Sequence, residues 1–431
     1  MCNHTANVST SASSLDALTT ATAASTPYSS SSSSSSSASA RAHSWLNRVS
    51  LGVIALSAIL SAGSATLLST PEAQAALLYD QNGSQFSVFG QVQAAFVNEY
   101  AYQDMAYTTD SSDNNIYARA RIGLAGRTQI TNGLDAIMMA QWNTSSSNEK
   151  EDLPLDRTEY MFAGIDAYQY GTLIMGRGDG AYYTVAGATD IFNIIEGHAS
   201  DYYILGDQRP SQIMYSLRAL SWDLKLSYMF ATNALGDTPL RAKRGMGASV
   251  STKFGENITF AYGIDYTDFR YADDNRAASE HFFAPMLQAD NRTYHDALAK
   301  AQSQHVGDKT EYGAALSYGV LGQGFYGALV VGATKYAYMN HHLYTVDSAL
   351  NYTFANGMGV SLGYGYKGYD GQSVISELSC GASYQINAAF KVFAEAQWDL
   401  NGHAAEFYGE TMARELNLGE NKYVLGAEFN F

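Results

Sequence analysis

The strongest constraint on this chain is a period of two, because apolar and polar side chains alternate over most of its length. In the segment IYARARIGLAGR, Ile116, Ala118 and Ile122 fall on one face, while Arg119 and Arg121 fall on the other. The segments SWDLKLSYMF and FKVFAEAQWDL repeat this alternation. Successive side chains of a β-strand point to opposite faces of the sheet, so the pattern predicts strands whose two faces meet different surroundings.

About sixteen such segments follow one another, each near the length with which a tilted strand crosses a membrane. Short connections such as Thr131–Gly133 alternate with long ones, which span 99–115, 146–156, 178–210, 268–309 and 401–421. Because every backbone polar group must be paired in lipid, a sheet can span a membrane only if it closes on itself. We therefore predict an all-β fold, a 16-stranded antiparallel transmembrane β-barrel with short turns at one end and longer loops at the other. The predicted strands start near Phe86, Ile116, Leu134, Arg157, Gly171, Ser211, Trp222, Gly245, Ile258, Thr310, Gly322, His342, Met358, Val374, Ala389 and Lys422.

Composition excludes several other classes of protein. Charged residues make up 15% of the chain, against about 25% in soluble domains. The net charge of −16 disfavours a nucleic-acid partner, which would require a basic surface. Two cysteines cannot build a disulfide framework. A soluble β-sandwich or β-helix is the alternative, but the exposed faces of a soluble sandwich should be richer in Lys and Glu.

The first part of the chain has the composition of a targeting segment. Residues 1–40 are rich in Ser, Thr and Ala and should be disordered. Residues 41–75 combine basic residues, an apolar stretch over 49–60 and an A-x-A cleavage site that ends at Ala75. We expect a cleaved export signal and a mature chain of residues 76–431 that forms a single barrel; an uncleaved membrane anchor is the alternative.

Three stretches and the last residue resemble the general porins of Gram-negative outer membranes, a family of trimeric sixteen-stranded barrels. The stretches are LLYDQNGSQFSVFGQV, RIGLAGRTQITNGL and TEYMFAGIDAYQYGTLIMGRGDGAYYTVAGATDIF, and the chain ends on Phe431. The resemblance implies a homotrimer and a third loop, about 178–210, that folds into the pore. It also implies recognition of Phe431 by the barrel-assembly machinery, and outer-membrane lipid and lipopolysaccharide as partners.

The resemblance and the alternation together give a set of pore residues. In the family, arginines on the barrel wall face acidic residues on the inserted loop. Arg121, Arg177 and Arg209 match wall positions, and Asp190 matches an acidic loop position. The family's acidic loop pattern is replaced here by NIIEGHASD, so Glu196 and Asp201 are the nearest acidic candidates. Alternation adds Arg119 and Arg157 to the basic wall and predicts further lumen-facing side chains at Asp135, Glu159, Asp223, Lys225, Lys391 and Glu395.

These features predict a water-filled channel for passive diffusion of small hydrophilic solutes and ions. The net charge favours a modest preference for cations. A sugar-selective porin is an alternative, because Tyr182, Tyr183, Tyr202 and Tyr203 lie on the presumed third loop. A barrel enzyme such as an outer-membrane phospholipase is a second alternative. We expect no catalytic residues, no cofactor and no metal site, and we interpret the adjacent His341 and His342 as a surface pair.

Overall fold

The computed structural model describes residues 76–98, 115–145, 157–195, 197, 199–204, 206, 208–232, 235, 240–270, 285–286, 288–289, 308–337 and 339–431. The predicted extension 1–40 and export signal 41–75 lie outside the described residues. No described helix is both long and apolar enough to cross a membrane. The described strands are β1 (Ala76–Gln81), β2 (Ser84–Val97), β3 (Asn115–Thr131), β4 (Leu134–Ser145), β5 (Arg157–Asp166), β6 (Thr172–Asp179), β7 (Gln208–Ala219), β8 (Trp222–Met229), β9 (Arg241–Phe254), β10 (Ile258–Arg270), β11 (Asp308–Val320), β12 (Gln323–Tyr336), β13 (Leu343–Thr353), β14 (Met358–Tyr369), β15 (Gln372–Gln385), β16 (Phe390–Asp399) and β17 (Lys422–Asn430).

Strands β2 to β17 form one closed antiparallel ring. Each pairs with the next along the chain, and β17 pairs with β2 from Val424 opposite Val97 to Asn430 opposite Gln91. The predicted sixteen-stranded barrel is thereby confirmed. Its strand starts agree with the prediction to within four residues, the largest difference being at β9, which begins at Arg241 and not at Gly245.

Strand β1 (Ala76–Gln81) is an addition to the sixteen predicted strands. It folds back on β2 through a tight turn at Asn82 and Gly83, which both have positive φ angles (54° and 74°). An Asn-Gly pair favours such a turn. β1 pairs with the part of β2 between Ser84 and Val88, which β17 does not reach. It therefore covers an edge of β2 that would otherwise be left unpaired.

The two faces of the barrel differ as the alternation predicts. Large apolar side chains such as Val92, Phe96 and Leu226 are about half exposed on the outer face, whereas the polar side chains of Gln93 and Arg119 are buried on the inner face. Phe89 interrupts the alternation because it faces inward and packs over Gly123 on the neighbouring strand. It belongs to an apolar patch on the inner wall that also contains Ala125, Ile137, Met139, Tyr160, Phe162, Ile174 and Met214.

The connections at the two ends of the barrel differ in length, with one departure from the prediction. At the end that carries the long loops, the connections 337–342 and 370–371 are short. Short helices occur in the described parts of the long loops. Loop 180–207 contains Tyr183–Ala186 and Asp201–Ile204, and loop 400–421 contains Ala404–Tyr408 and Glu410–Glu415. 3-10 turns occur at Tyr168–Tyr170 and Gly187–Thr189.

Candidate pore constriction

The third connection at the loop end, residues 180–207, folds into the barrel as predicted; we call it the pore loop. Its first part seats Tyr182 against β10 and β11, where an added side-chain carbon at Gly313 would lie 2.5 Å from the Tyr182 hydroxyl. Further along, Phe192 packs against β14, where a carbon at Gly363 would lie 2.8 Å from its ring. Glycine at these two wall positions therefore makes room for the pore loop.

Glu395 on β16 fixes the middle of the pore loop to the wall. Its carboxylate accepts hydrogen bonds from the backbone amides of Asn193 (2.6 Å), Ile194 (3.0 Å) and Ile195 (3.2 Å). The Asn193 side chain adds a fourth bond of 2.7 Å. Hydrogen bonds from several backbone amides to one carboxylate are strong, because the acceptor is charged. The alternation predicts a lumen position for Glu395, whereas its role as an anchor depends on a contact 200 residues away along the chain.

The end of the pore loop is held by ionic contacts. Asp201 is fully buried, and it accepts hydrogen bonds from the Lys367 ammonium (2.8 Å) and the Tyr408 hydroxyl (3.2 Å). The neighbouring Ser200 hydroxyl donates to Glu311 at 2.6 Å. Burial alone would raise the pKa of Asp201, but the Lys367 and Lys309 ammonium groups lower it below the ordinary value. Asp201 therefore carries a charge that is balanced at the base of the loop.

Two of the predicted basic residues stand together on β3. Arg119 Nε donates to Gln93 at 2.7 Å, and its guanidinium reaches across to the backbone carbonyl of Asn193 on the pore loop at 3.3 Å. Arg121 lies 3.5 Å from the Glu159 carboxylate. Glu159, at a bulge of β5, also accepts hydrogen bonds from Gln141 and Asn143. This wall therefore contains arginines and a carboxylate in one hydrogen-bonded group.

The other predicted basic residues lie elsewhere. Arg209 contacts Asp265 on β10 at 3.3 Å and stacks 4.5 Å from the centre of the Tyr202 ring, beneath the pore loop. Arg177 is half-buried, and its register partner is Met161 on the outer face, so the register does not group it with Arg121. Only the backbone of Arg157 is described; it begins β5 opposite Asn143.

The remaining predicted lumen residues are spread along the barrel. Asp190 lies on the pore loop, half-buried, and accepts a hydrogen bond from the Tyr183 hydroxyl at 3.1 Å. Lys391 contacts Glu428 at 3.2 Å. Asp223 pairs with Arg218 at the turn end of the barrel, away from the pore loop. Lys225 is buried on the inner face, and Glu196 lies outside the described residues.

Arg127, which sequence analysis did not select, forms a buried ionic cluster on the inner wall. Its guanidinium pairs with Asp135 on β4 and with Asp166 on β5, the latter at 3.0 Å. The alternation that selected Arg119 and Arg121 extends to position 127 in the same strand, so the signal was present in the sequence. Arg127 was not predicted because the two residues between it and Arg121 on the same face, Gly123 and Ala125, are not polar and interrupt the alternation.

The tyrosines of the pore loop pack against protein. Tyr182 and Tyr202 are almost completely buried, with ring centres 5.5 Å apart, and Tyr203 meets Tyr202 edge to face. Tyr183 packs partly against the apolar patch of the inner wall. These aromatic side chains therefore stabilise the loop. Within the described ranges, no group of three or more His, Cys, Asp or Glu side chains is arranged to hold a metal ion.

Comparison with solved structures supports the fold. The chain is similar to OmpF of Salmonella typhi, solved in complex with daunomycin, with a TM-score of 0.61 at 16% identity, covering 82% of this chain and 99% of that one. It is also similar to an anion-selective porin from Comamonas acidovorans, with a TM-score of 0.53 at 14% identity, covering 81% of this chain and all of that one.

Comparison of sequences identifies the family. The chain is 29% identical over 219 residues to outer membrane porin PhoE of Klebsiella oxytoca, covering 48% of this chain and 58% of that protein. It is 20% identical over 365 residues to outer membrane protein S2 of Salmonella typhi, covering 79% of this chain and 92% of that protein. The family profile described as Gram-negative porin matches residues 52–404. This match covers most of the barrel together with the pore loop, and the chain therefore belongs to the Gram-negative porin family.

Proposed function

We propose that this porin passes small hydrophilic solutes and ions by passive diffusion, with a modest preference for cations. Outer-membrane location and channel function follow from the family. The observation that carries the proposal is the pore loop, which is anchored to the inner wall at Glu395 and reached from β3 by Arg119. Such a loop narrows the polar lumen but does not block it, so passage depends on the size and charge of the solute.

The distribution of charge around the pore loop supports the cation preference. On β3 to β5, Arg121 and Arg127 are paired with carboxylates. On the far side, Asp347 and Glu377 lie in register on either side of Gly365, and the Thr189 hydroxyl of the pore loop donates to Asp347 at 2.7 Å. A patch of negative charge in a low-dielectric wall raises the local concentration of cations.

Two alternatives predict different measurements. A sugar-selective pore would use exposed aromatic side chains along the solute path, whereas Tyr182 and Tyr202 are packed against protein. Sugar would then block conductance in a saturable manner, which we do not expect. A barrel enzyme would hydrolyse lipid or peptide bonds, and the family makes the chain a channel. We propose that the purified protein has no hydrolase activity.

Assembly and export complete the proposal. We infer that the channel is a homotrimer, that Phe431 is recognised by the barrel-assembly machinery, and that the apolar outer face contacts lipid and lipopolysaccharide. We infer an export signal over 41–75 that is cleaved after Ala75, from its basic residues, its apolar stretch and its A-x-A site. Mass analysis of the mature protein tests this cleavage: a mature N-terminus other than Ala76 would refute it.

Recordings in planar bilayers test the function. Purified protein should give stepwise conductance in groups of three, and a salt gradient should give a reversal potential of the sign for cation preference. The variant Asp190→Ala should move the reversal potential toward zero, because it removes a carboxylate of the pore loop. Anion preference of the parent protein, or an unchanged potential in the variant, would contradict the charge assignment.

A further inference from the structure

The last loop, residues 400–421, folds over the mouth of the barrel and not away from it. Its two helices, Ala404–Tyr408 and Glu410–Glu415, are joined at Gly409, which has a φ of 85°. The loop begins along β15, because Leu400 and His403 donate backbone hydrogen bonds to Ser376 and Ser373 at 2.7 and 3.2 Å. The connection 370–371 between β14 and β15 has only two residues. The edge of the barrel that the last loop crosses is therefore a tight turn and not a long loop.

The last loop buries an apolar layer across the mouth. Phe407 packs against Tyr369 at the end of β14, with ring centres 5.3 Å apart, and against Tyr408 at 4.9 Å. Burial of apolar surface on this scale holds a loop in one position. The layer links β8 and β9 on one side of the mouth to β12–β15 on the other, and comprises Ile204, Met229, Leu235, Leu240, Ala242, Met286, Tyr336, Met339, Leu343, Tyr369, Val374, Ile375, Ala404, Phe407, Tyr408, Ala413, Leu416 and Leu418.

The last loop is also bonded directly to the pore loop. The Tyr408 hydroxyl donates to Asp201 at 3.2 Å and accepts a hydrogen bond from Lys367 at 3.2 Å. Tyr408 is fully buried at this junction, and Ile204, at the end of the pore loop, belongs to the same apolar layer. The hydrogen bonds among Tyr408, Asp201 and Lys367 therefore join the last loop, the pore loop and β14.

We propose that the last loop forms a second, outer constriction of the channel, and that Tyr408 couples it to the pore loop. This inference rests on the proposed channel function. The layer covers the mouth between β8–β9 and β12–β15, so solutes must enter through the part of the mouth that the layer leaves open. Two narrow sections in series then set the size limit: the outer one by the last loop and the inner one by the pore loop.

A loop replacement tests this proposal in the full-length protein. Gln397 on β16 pairs with Lys422 on β17, so the two strand ends are adjacent and a short turn can join them. Residues 401–419 are replaced by a four-residue Gly/Asn turn. Single-channel conductance in a planar bilayer should rise by roughly 1.5-fold or more, and larger polyethylene glycols should enter the pore. Conductance and size limit equal to those of the parent would overturn the proposal.

A point substitution keeps the test decisive if the loop replacement does not assemble. Tyr408→Ala removes the bond to Asp201 and part of the apolar layer, so conductance and open-channel noise should both increase. The matched control is Tyr344→Ala on β13, which is 60% exposed on the outer face at the same end of the barrel. Equal behaviour of the two variants would overturn the proposal. A parent protein without any ion current would instead refute the channel function on which it rests.

Discussion

The ring of Phe431, the last residue, covers Gly90 on the outer face of the barrel, and the two backbones exchange hydrogen bonds of 2.8 and 2.9 Å. These bonds join the end of the chain to β2 at the point where the pairing of β2 with β17 ends and its pairing with β1 begins. The closure of the barrel therefore depends on a position without a side chain. Any β-carbon at Gly90 would collide with the Phe431 ring and come within 2.8 Å of the Arg121 carbonyl oxygen.

The substitution Gly90→Val should weaken this closure. The Phe431 ring must move away, and overpacking of this kind typically costs about 1–3 kcal/mol. We expect a lower midpoint of heat-induced unfolding, measured by the loss of the compact form on gels or by circular dichroism. Ala94→Val, at an exposed outer position of the same strand, is the control and should change the midpoint little. Equal midpoints for the two variants would contradict the importance of this contact.

The alternation predicted the ring of strands because the requirement for closure acts on every strand in the same way. It predicted the inner position of Arg119 and Arg121 for the same reason. It placed Phe89 on the polar face as an exception, but it did not reveal why an aromatic side chain fits there, because that depends on the absence of a side chain at Gly123. Such a pairing depends on the register between two strands, which a single strand's pattern does not contain.

The contacts of the pore loop were harder to predict from sequence. The family resemblance gave its entry into the barrel, but its anchors come from distant parts of the chain. Asp201 is bound by Lys367 and Tyr408, and Glu395 binds amides of the loop itself. A backbone amide has no signature in the sequence, and a Lys in a strand reveals its partner only when the strands are assembled.

Arg127→Met should destabilise the barrel much more than Arg218→Met. Arg127 is buried with Asp135 and Asp166, and removing it leaves two buried carboxylates without their counter-ion, which costs about 3–5 kcal/mol. Arg218 pairs with Asp223 with half of its side chain exposed, and such pairs contribute at most about 1 kcal/mol. Midpoints of unfolding in denaturant check the difference. Similar losses in both variants would show that water in the lumen screens the Arg127 cluster.

Arg119→Ala should increase the preference for cations. The change removes a positive charge next to the pore loop and a hydrogen bond to the Asn193 carbonyl. The reversal potential in a salt gradient should move further in the cation direction, and the shift should shrink at high salt because of screening. Lys253→Ala, an exposed position at the turn end of β9, removes the same charge far from the loop. The assignment fails if this control shifts the potential as much as Arg119→Ala does.

Acid should release the base of the pore loop. Although burial raises the pKa of Asp201, Lys367 and Lys309 lower it from its ordinary value of 3.8. A carboxyl with a lowered pKa stabilises the fold fully above its unfolded value, and this contribution disappears as the pH falls through the lower folded value. The stability difference between the parent and Asp201→Asn should therefore be constant from pH 7 to about 4 and shrink below that. A difference that begins to shrink near neutral pH would contradict the lowered pKa.

Glu395→Gln should loosen the middle of the pore loop while leaving the barrel intact. The carboxylate accepts bonds from three consecutive backbone amides, of Asn193, Ile194 and Ile195, and a neutral amide accepts through one oxygen only. Bonds to a charged acceptor are roughly twice as strong as neutral ones, so the loop should fluctuate more. We expect greater open-channel noise at an unchanged unfolding midpoint. Glu256→Gln, exposed in a turn at the opposite end of the barrel, makes the same chemical change and should leave the noise as in the parent. Quiet channels in Glu395→Gln would mean that the apolar contacts of Ile194 and Ile195 hold the loop without the carboxylate.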